Sequence, residues 1–203
     1  LGDATRRDWI ATAKRFTAWA KRRRHIEFDP LEEVDIPAVT NAEFERMAFT
    51  VEQARAIIDA APVRPVQDWR TKRPRASAEV LKQRHAEGTV RATAWMLGFG
   101  AGVRVGEMRQ LRWEHLDADS QTLFLPADVA KARRPELIAV APWLVEELLA
   151  HRERSRQVAG RPLRASELIF APRMVGKRKC DPLSKDSLAN HFRADAAFAG
   201  IDL

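Results

Sequence analysis

The chain has 203 residues, 45% of them hydrophobic, and 35 Lys and Arg against 28 Asp and Glu give a net charge of +7. That is enough apolar material to bury a core, and the cation excess points to a polyanionic partner, nucleic acid first and an anionic membrane surface second. No apolar run approaches the roughly 20 residues of a membrane span and no signal peptide is visible, while the single Cys180 excludes an internal disulfide and a cysteine-built metal cluster.

Residues 1–24 carry eight basic and two acidic side chains. Thr5 or Asp3 can cap a helix running to about residue 24, with Trp9, Ala13, Phe16 and Ala20 on one face. Its other face carries Arg6, Lys14, Arg15 and Lys21, followed by Arg22, Arg23 and Arg24. Two readings of those cations stand: a solvated polar face, or side chains tracking phosphates. Residues 27–48 are rich in acids and interrupted by Pro30 and Pro37, which reads as an interdomain linker. Charge segregated in this way implies that one face does the binding.

A new domain opens at residues 49–61, where Thr50 is an N-cap with Gln53 three residues on, and Ala54, Ile57, Ile58 and Ala61 form the buried stripe. Between Ala61 and Gly88 lies a basic, proline-bearing insertion with Arg64, Arg70, Lys72, Arg73 and Arg75, then a helix over residues 77–87. Trp69 among these cations either pins the insertion to the surface or packs against a ligand such as a DNA sugar.

The apolar run at residues 92–99 is long enough for a buried helix. Gly100 and Gly102 suit a turn at its C-terminal end, because positive φ carries no steric cost for glycine. Leu111, Trp113 and Leu116 then restart an apolar face, so Arg104 sits on a tight connection walled by core on both sides. With Glu107 three residues on to orient it, the guanidinium offers a fixed fork of donors matching a phosphate's oxygens. An Arg–Glu pair that merely staples two helices has the same residues, and the residues alone leave both readings open.

Further on, residues 122–126 and 136–141 read as short strands joined by a turn carrying Lys131, Arg133 and Arg134. A helix over residues 143–158 turns Leu144, Leu148 and Leu149 inward, and residues 168–170 form a short strand or buried connector. Residues 173–179 are a basic, glycine-bearing hairpin tip. A last helix starts at Ser184 or Ser187 with Leu188, Phe192, Ala196 and Ala199 on its core face. His25, His85, His115 and His151 are scattered, and His191 falls inside a helix; none is assigned a role.

The run Ala-Gly-Val-Arg-Val-Gly-Glu-Met-Arg-Gln-Leu-Arg-Trp-Glu-His-Leu-Asp over residues 101–117 resembles the first arginine box of the tyrosine recombinases, the phage-integrase family. Ala101 stands where that pattern has threonine, and His115 where an acid is common. Looser likenesses lie in the phrase around Thr50, the turn at Lys131 and the phrase Ala199, Gly200, Ile201, so that the resemblance runs from Thr5 to Ile201.

The resemblance implies a mainly α fold with a small antiparallel β-sheet (α+β). Residues 49–203 would be an integrase-like catalytic domain, preceded by a linker at 27–48 and by the last helix of a core-binding domain at 1–26. It implies site-specific DNA recombination through a 3′-phosphotyrosyl intermediate, with Arg104 clamping the phosphate, Lys131 as general acid and Glu107 holding the arginine fork. No metal or other cofactor is implied. The expected partner is double-stranded DNA, contacted by Arg15, Lys21, Arg22, Arg23, Arg73, Arg133, Arg134, Lys177, Arg178 and Lys179. The intact protein would be a tetramer on DNA, a monomer in free solution, and cytoplasmic at the nucleoid. The 203 residues contain no tyrosine; the expectation is a fragment that stops ahead of the family's His-x-x-Arg box and nucleophile and that binds DNA without covalent attachment. The rival readings are a non-catalytic DNA-binding protein derived from an integrase and an unrelated basic helical RNA-binding protein.

Overall fold

A computed structural model describes residues 3–38, 48–171, 173–175, 178–180 and 184–202, and these fall into two units, Leu1–Ala48 and Phe49–Leu203. In the first, α1 (Asp3–Arg22) has Asp3 in its first turn and Lys21 and Arg22 in its last, matching the helix dipole at both ends. The chain reverses at Arg24, whose φ is 60°. Lys14 then donates to the carbonyls of Glu32, at 3.1 Å, and Val34, and Lys21 Nζ lies 2.7 Å from Glu32 Oε2. Two of the four cations read as one free face of the helix therefore fasten the following segment to it. Trp9 and Phe16 remain largely exposed.

The second unit opens with α2 (Val51–Lys72). Its capping box is complete: Gln53 N donates to Thr50 Oγ1 at 3.2 Å, and Thr50 N to Gln53 Oε1 at 2.9 Å. The sequence reading ends this helix near Ala61, yet it continues through Pro62 and Pro65. A proline inside a helix leaves the carbonyl four residues back without its donor. Pro65 does this to Ala61, whose oxygen instead accepts from Arg91 Nη2 at 3.1 Å.

Arg91 belongs to α3 (Ala78–Ala101), capped by Ser77, whose Oγ accepts from Val80 N at 3.4 Å. The helix expected over residues 77–87 and the apolar run over 92–99 are thus one element. Gly88 lies within it because the neighbouring helix is close: a Cβ there would sit 2.2 Å from Ala61 O and 2.6 Å from Pro62 Cα. Phe49, just ahead of α2, meets Phe99 near the end of α3 at 5.6 Å, so the two helices run antiparallel.

The last helix, α6 (Lys185–Phe198), buries Leu188 and Ala196 as its pattern predicts. It also buries Asp195 completely. Arg64 Nε of α2 donates to Asp195 Oδ1 at 2.6 Å, Trp95 Nε1 of α3 to Oδ2 at 3.1 Å, and Arg91 Nε stands 3.5 Å from Oδ2. One carboxylate therefore ties three helices. His191, one turn earlier, has Nδ1 3.3 Å from Arg64 Nη2. Burial, reinforced by Arg91 and Arg64 and only partly opposed by Asp195, holds its pKa below the ordinary histidine value, so the neutral ring accepts the bond.

Between these helices in sequence, β1 (Leu116–Asp117), β2 (Thr122–Leu125) and β3 (Glu136–Ala139) make an antiparallel sheet in that order, with Leu123 opposite Ile138. Leu123 and Leu125 point to the core and Phe124 outward, as strand alternation requires. Next, α5 (Pro142–Ala159) starts on proline and stops at Gly160, φ 64°. Residues 168–170 are a buried connector, with Ile169 N bonded to Leu111 O at 2.9 Å. β4 (Arg173–Val175) and β5 (Arg178–Cys180) pair as the expected hairpin. The result is the mainly α fold with a small antiparallel sheet that the sequence implies. Among the described residues no helix is long and apolar enough to cross a membrane.

Candidate functional site

The end of α3 sets the site. Gly102, at φ 67°, stops the helix and bonds its N–H to Gly98 O at 3.1 Å. Gly100, expected in the same turn, is still helical; a Cβ there would come within 3.0 Å of Trp143 and 3.1 Å of Leu144, so its role is close packing. Buried Val103 anchors the exit, and Arg104 becomes the N-cap residue of a short helix, α4 (Val105–Met108). Met108 and Leu111 bury the far side of this turn.

Glu107 is the centre. Its Oε2 accepts from the main-chain N of Arg104 at 2.9 Å. Its Oε1 accepts from Arg104 Nη1 at 3.3 Å and from the main-chain N of Lys131 at 3.1 Å. The Glu107 side chain is only 4% exposed, whereas that of Arg104 is 58% exposed. The carboxylate is therefore inside, and the arginine side chain is more than half exposed. Burial acts to raise the pKa of Glu107, but the two main-chain N–H groups and the Arg104 guanidinium outweigh it and hold the carboxyl below its ordinary value. Glu107 is an anion at neutral pH.

Lys131 lies in the turn between β2 and β3. Ala130 is buried and bonds Pro126 O at 2.9 Å; Arg133 closes the turn with φ 53° and a 3.0 Å bond to Ala130 O. The side chains of Lys131, Arg133 and Arg134 are exposed, and Arg134 Nε lies 4.0 Å from Glu136. Arg104 and Lys131, far apart in sequence, are thus gathered on one buried anion. Beside Arg104, which forms part of its wall, lies a cleft of about 540 Å³ lined by Trp95, Phe99, Val103, Met108 and Phe192. Apolar walls next to a cation strengthen its pull on an anion.

The other cations singled out in the sequence lie elsewhere. Arg73 is on the turn joining α2 to α3, its Cζ 5.8 Å from the Trp69 ring. Arg15, Lys21, Arg22 and Arg23 are exposed in the first unit. Lys21 is engaged by Glu32, whose hydrogen bond raises its pKa. Arg178 and Lys179 are on β5, but their side chains, and Lys177 altogether, lie outside the described residues. Among the described residues no group of three or more His, Cys, Asp or Glu is arranged to hold a metal ion.

Sequence reasoning gave Glu107 one partner and missed the second, because a main-chain N–H donor leaves no trace in residue type. It also missed Asp195, although an acid on the core face between Phe192 and Ala199 is a readable sign.

No family model matches the chain. Over 92 residues, 41% of its length, the chain is 34% identical to the prophage integrase IntZ of Escherichia coli (strain K12), of which it spans 23%. The XerA recombinase structure aligns with 96% of the chain at 12% identity and a TM-score of 0.50, the match covering 63% of that protein. The integrase from mycobacterium phage Brujita aligns with 100% at 15% identity and a TM-score of 0.43, covering 54% of that protein. The chain therefore spans under a quarter of IntZ and less than two thirds of either solved chain. Its fold is shared with the XerA recombinase structure. Over those 92 residues the chain is similar to a prophage integrase, in line with the resemblance that its Arg104 box bears to the tyrosine recombinase, or phage integrase, family.

Proposed function

We propose that the chain is the DNA-engaging part of a site-specific recombinase, with residues 49–203 as its catalytic domain, residues 27–48 as a linker and residues 1–26 as the end of a core-binding domain. The observation that carries the reading is Glu107: one buried carboxylate fixes both the exposed arginine and the lysine turn.

The chemistry that suits this pair is transfer of a DNA phosphoryl group. Arg104 donates its fork to the non-bridging oxygens and offsets the charge that grows there, which commonly accounts for roughly 3–4 kcal/mol of barrier lowering. As a tyrosine oxygen, giving up its proton to water, bonds to phosphorus and the bond to the 5′-oxygen breaks, Lys131 passes a proton to that leaving oxygen. Arg133 and Arg134 grip the backbone nearby. The 203 residues contain no tyrosine, so in this reading they bind duplex DNA and make no covalent link. The partner is double-stranded DNA, assembled with a tetramer in the whole protein, at the nucleoid.

The test is a salt titration of duplex binding together with a nicked suicide substrate. The expected result is affinity that falls steeply with salt and no denaturant-resistant adduct. A flat salt response removes the phosphate contacts, and an adduct reveals a nucleophile outside this scheme. A second reading is a non-catalytic DNA-binding protein derived from an integrase. Reading the gene beyond Leu203 separates the two: a His-x-x-Arg box and a tyrosine mean recombinase, and an immediate stop means binding module.

A further inference from the structure

Residues 69–85 hold six Lys and Arg and a single acid, Glu79. They form the end of α2, the turn over residues 73–77, and the first two turns of α3. Trp69 makes this tip stiff: the Arg84 guanidinium lies over its ring at 4.2 Å, held from the other side by Glu87 at 2.8 Å, and Arg73 approaches the ring at 5.8 Å. Arg70, Lys72, Arg75 and Lys82 are all exposed, and among the described residues they form no ion pair.

The helix dipole accounts for part of this. Cations in the last turn of α2, Arg70 and Lys72, are favoured there. Lys82 and Arg84 are not, because the start of a helix favours anions, and Arg75 lies in neither helix. The tip is a cationic end beyond what the fold requires.

Its distance from Arg104 is set by α3. The 24 residues from Ala78 to Ala101 rise about 36 Å at ~1.5 Å each, with the tip before the first and Arg104 just after the last. One turn of duplex DNA is also about 34–36 Å, or roughly 10 base pairs.

We propose that the α2–α3 tip is a second phosphate-contacting surface, which grips the backbone of the same duplex about one helical turn from the phosphate held at Arg104. The proposal rests on the DNA reading of the Arg104 site and adds a remote contact to it. Arg70, Lys72, Arg75 and Lys82 supply the contacts; Trp69 and Arg84 keep the tip from folding away.

The experiment measures how affinity for a duplex of about 30 base pairs, long enough to span both surfaces, varies with salt. It compares the 203-residue chain with a variant carrying Arg70→Gln, Lys72→Gln, Arg75→Gln and Lys82→Gln. Each phosphate contact contributes about 0.9 to the slope of log affinity on log salt, so the variant's slope is expected to be shallower by about 2–4. An unchanged slope overturns the proposal while leaving Arg104 untouched. A flat slope in the unaltered chain overturns the reading beneath it. Should the fourfold variant fail to fold, Lys72→Gln and Lys82→Gln singly are each expected to lower the slope by about one with unchanged melting, and no change in either case sinks the idea. An acidic protein as the true partner shows itself as a full DNA slope in the fourfold variant.

Discussion

Lys131 and Glu107, 24 residues apart, are joined by a main-chain hydrogen bond of 3.1 Å, the amide donating to Oε1. The same oxygen takes the Arg104 guanidinium at 3.3 Å. The place of the β2–β3 turn is therefore set by the group that aims the arginine, and disturbing one disturbs both.

Glu107→Gln tests that coupling. An amide has one oxygen for three donors, and its NH2 confronts a guanidinium, so the variant is expected to lose about 1–3 kcal/mol in denaturant unfolding. The effect depends on pH. Glu107 is depressed below its ordinary 4.5 in the folded chain, so its contribution is full above that value and fades as pH falls through the lower folded one. The gap between wild type and variant should be constant near neutrality and close on acidification; a gap that widens in acid contradicts the assignment.

Asp195→Asn removes the buried carboxylate that Arg91 Nε and Arg64 Nε face. Stranding buried charge in this way costs about 3–5 kcal/mol, read as a large fall in melting temperature. Adding Arg91→Met to Asp195→Asn should cost less than the two changes summed, since they break one network.

Gly88→Ala and Gly106→Ala form a matched pair. The first puts a methyl 2.2 Å from Ala61 O, so α2 and α3 must part, with a loss of about 1–3 kcal/mol or more. The second meets nothing within 4 Å, and alanine suits a helix better than glycine by roughly 0.5–1 kcal/mol. Melting curves should move in opposite directions.

Arg104→Ala separates binding from folding. The side chain is 58% exposed, so its ion pair contributes only about 0–1 kcal/mol to stability. On duplex DNA the salt slope should fall by about one, and Arg104→Lys should restore the slope but not the two-pronged geometry. A collapse of stability on Arg104→Ala would favour the reading of Arg104 as a helix staple.

The elements that sequence made legible are those with local causes. Thr50 with Gln53, Ser77 and Gly102 mark helix ends through bonds within a few residues, and the core faces of α5 and α6 repeat at helical spacing, although Leu149, expected inward on α5, is 42% exposed. The Arg104 box was readable as a motif, and the pairing of Arg104 with Glu107 follows from their spacing of three. What escaped has causes far along the chain. Pro62 and Pro65 read as a break, but a helix survives them where a neighbour such as Arg91 meets the stranded carbonyl. Gly100 read as a turn because closeness to Trp143 cannot be seen from its own surroundings.

Asp195 also bears on the order in which the chain is made. Arg64 leaves the ribosome 131 residues ahead of the carboxylate it binds, and Trp95 100 residues ahead. Until α6 emerges, Arg64 Nε and Arg91 Nε lack the buried carboxylate they face in the folded chain, although Asp68 already pairs with Arg64, and closing so long a loop is entropically slow. The hairpin should therefore remain protease-sensitive on the ribosome until α6 docks, making that docking the step that locks α2 and α3 together.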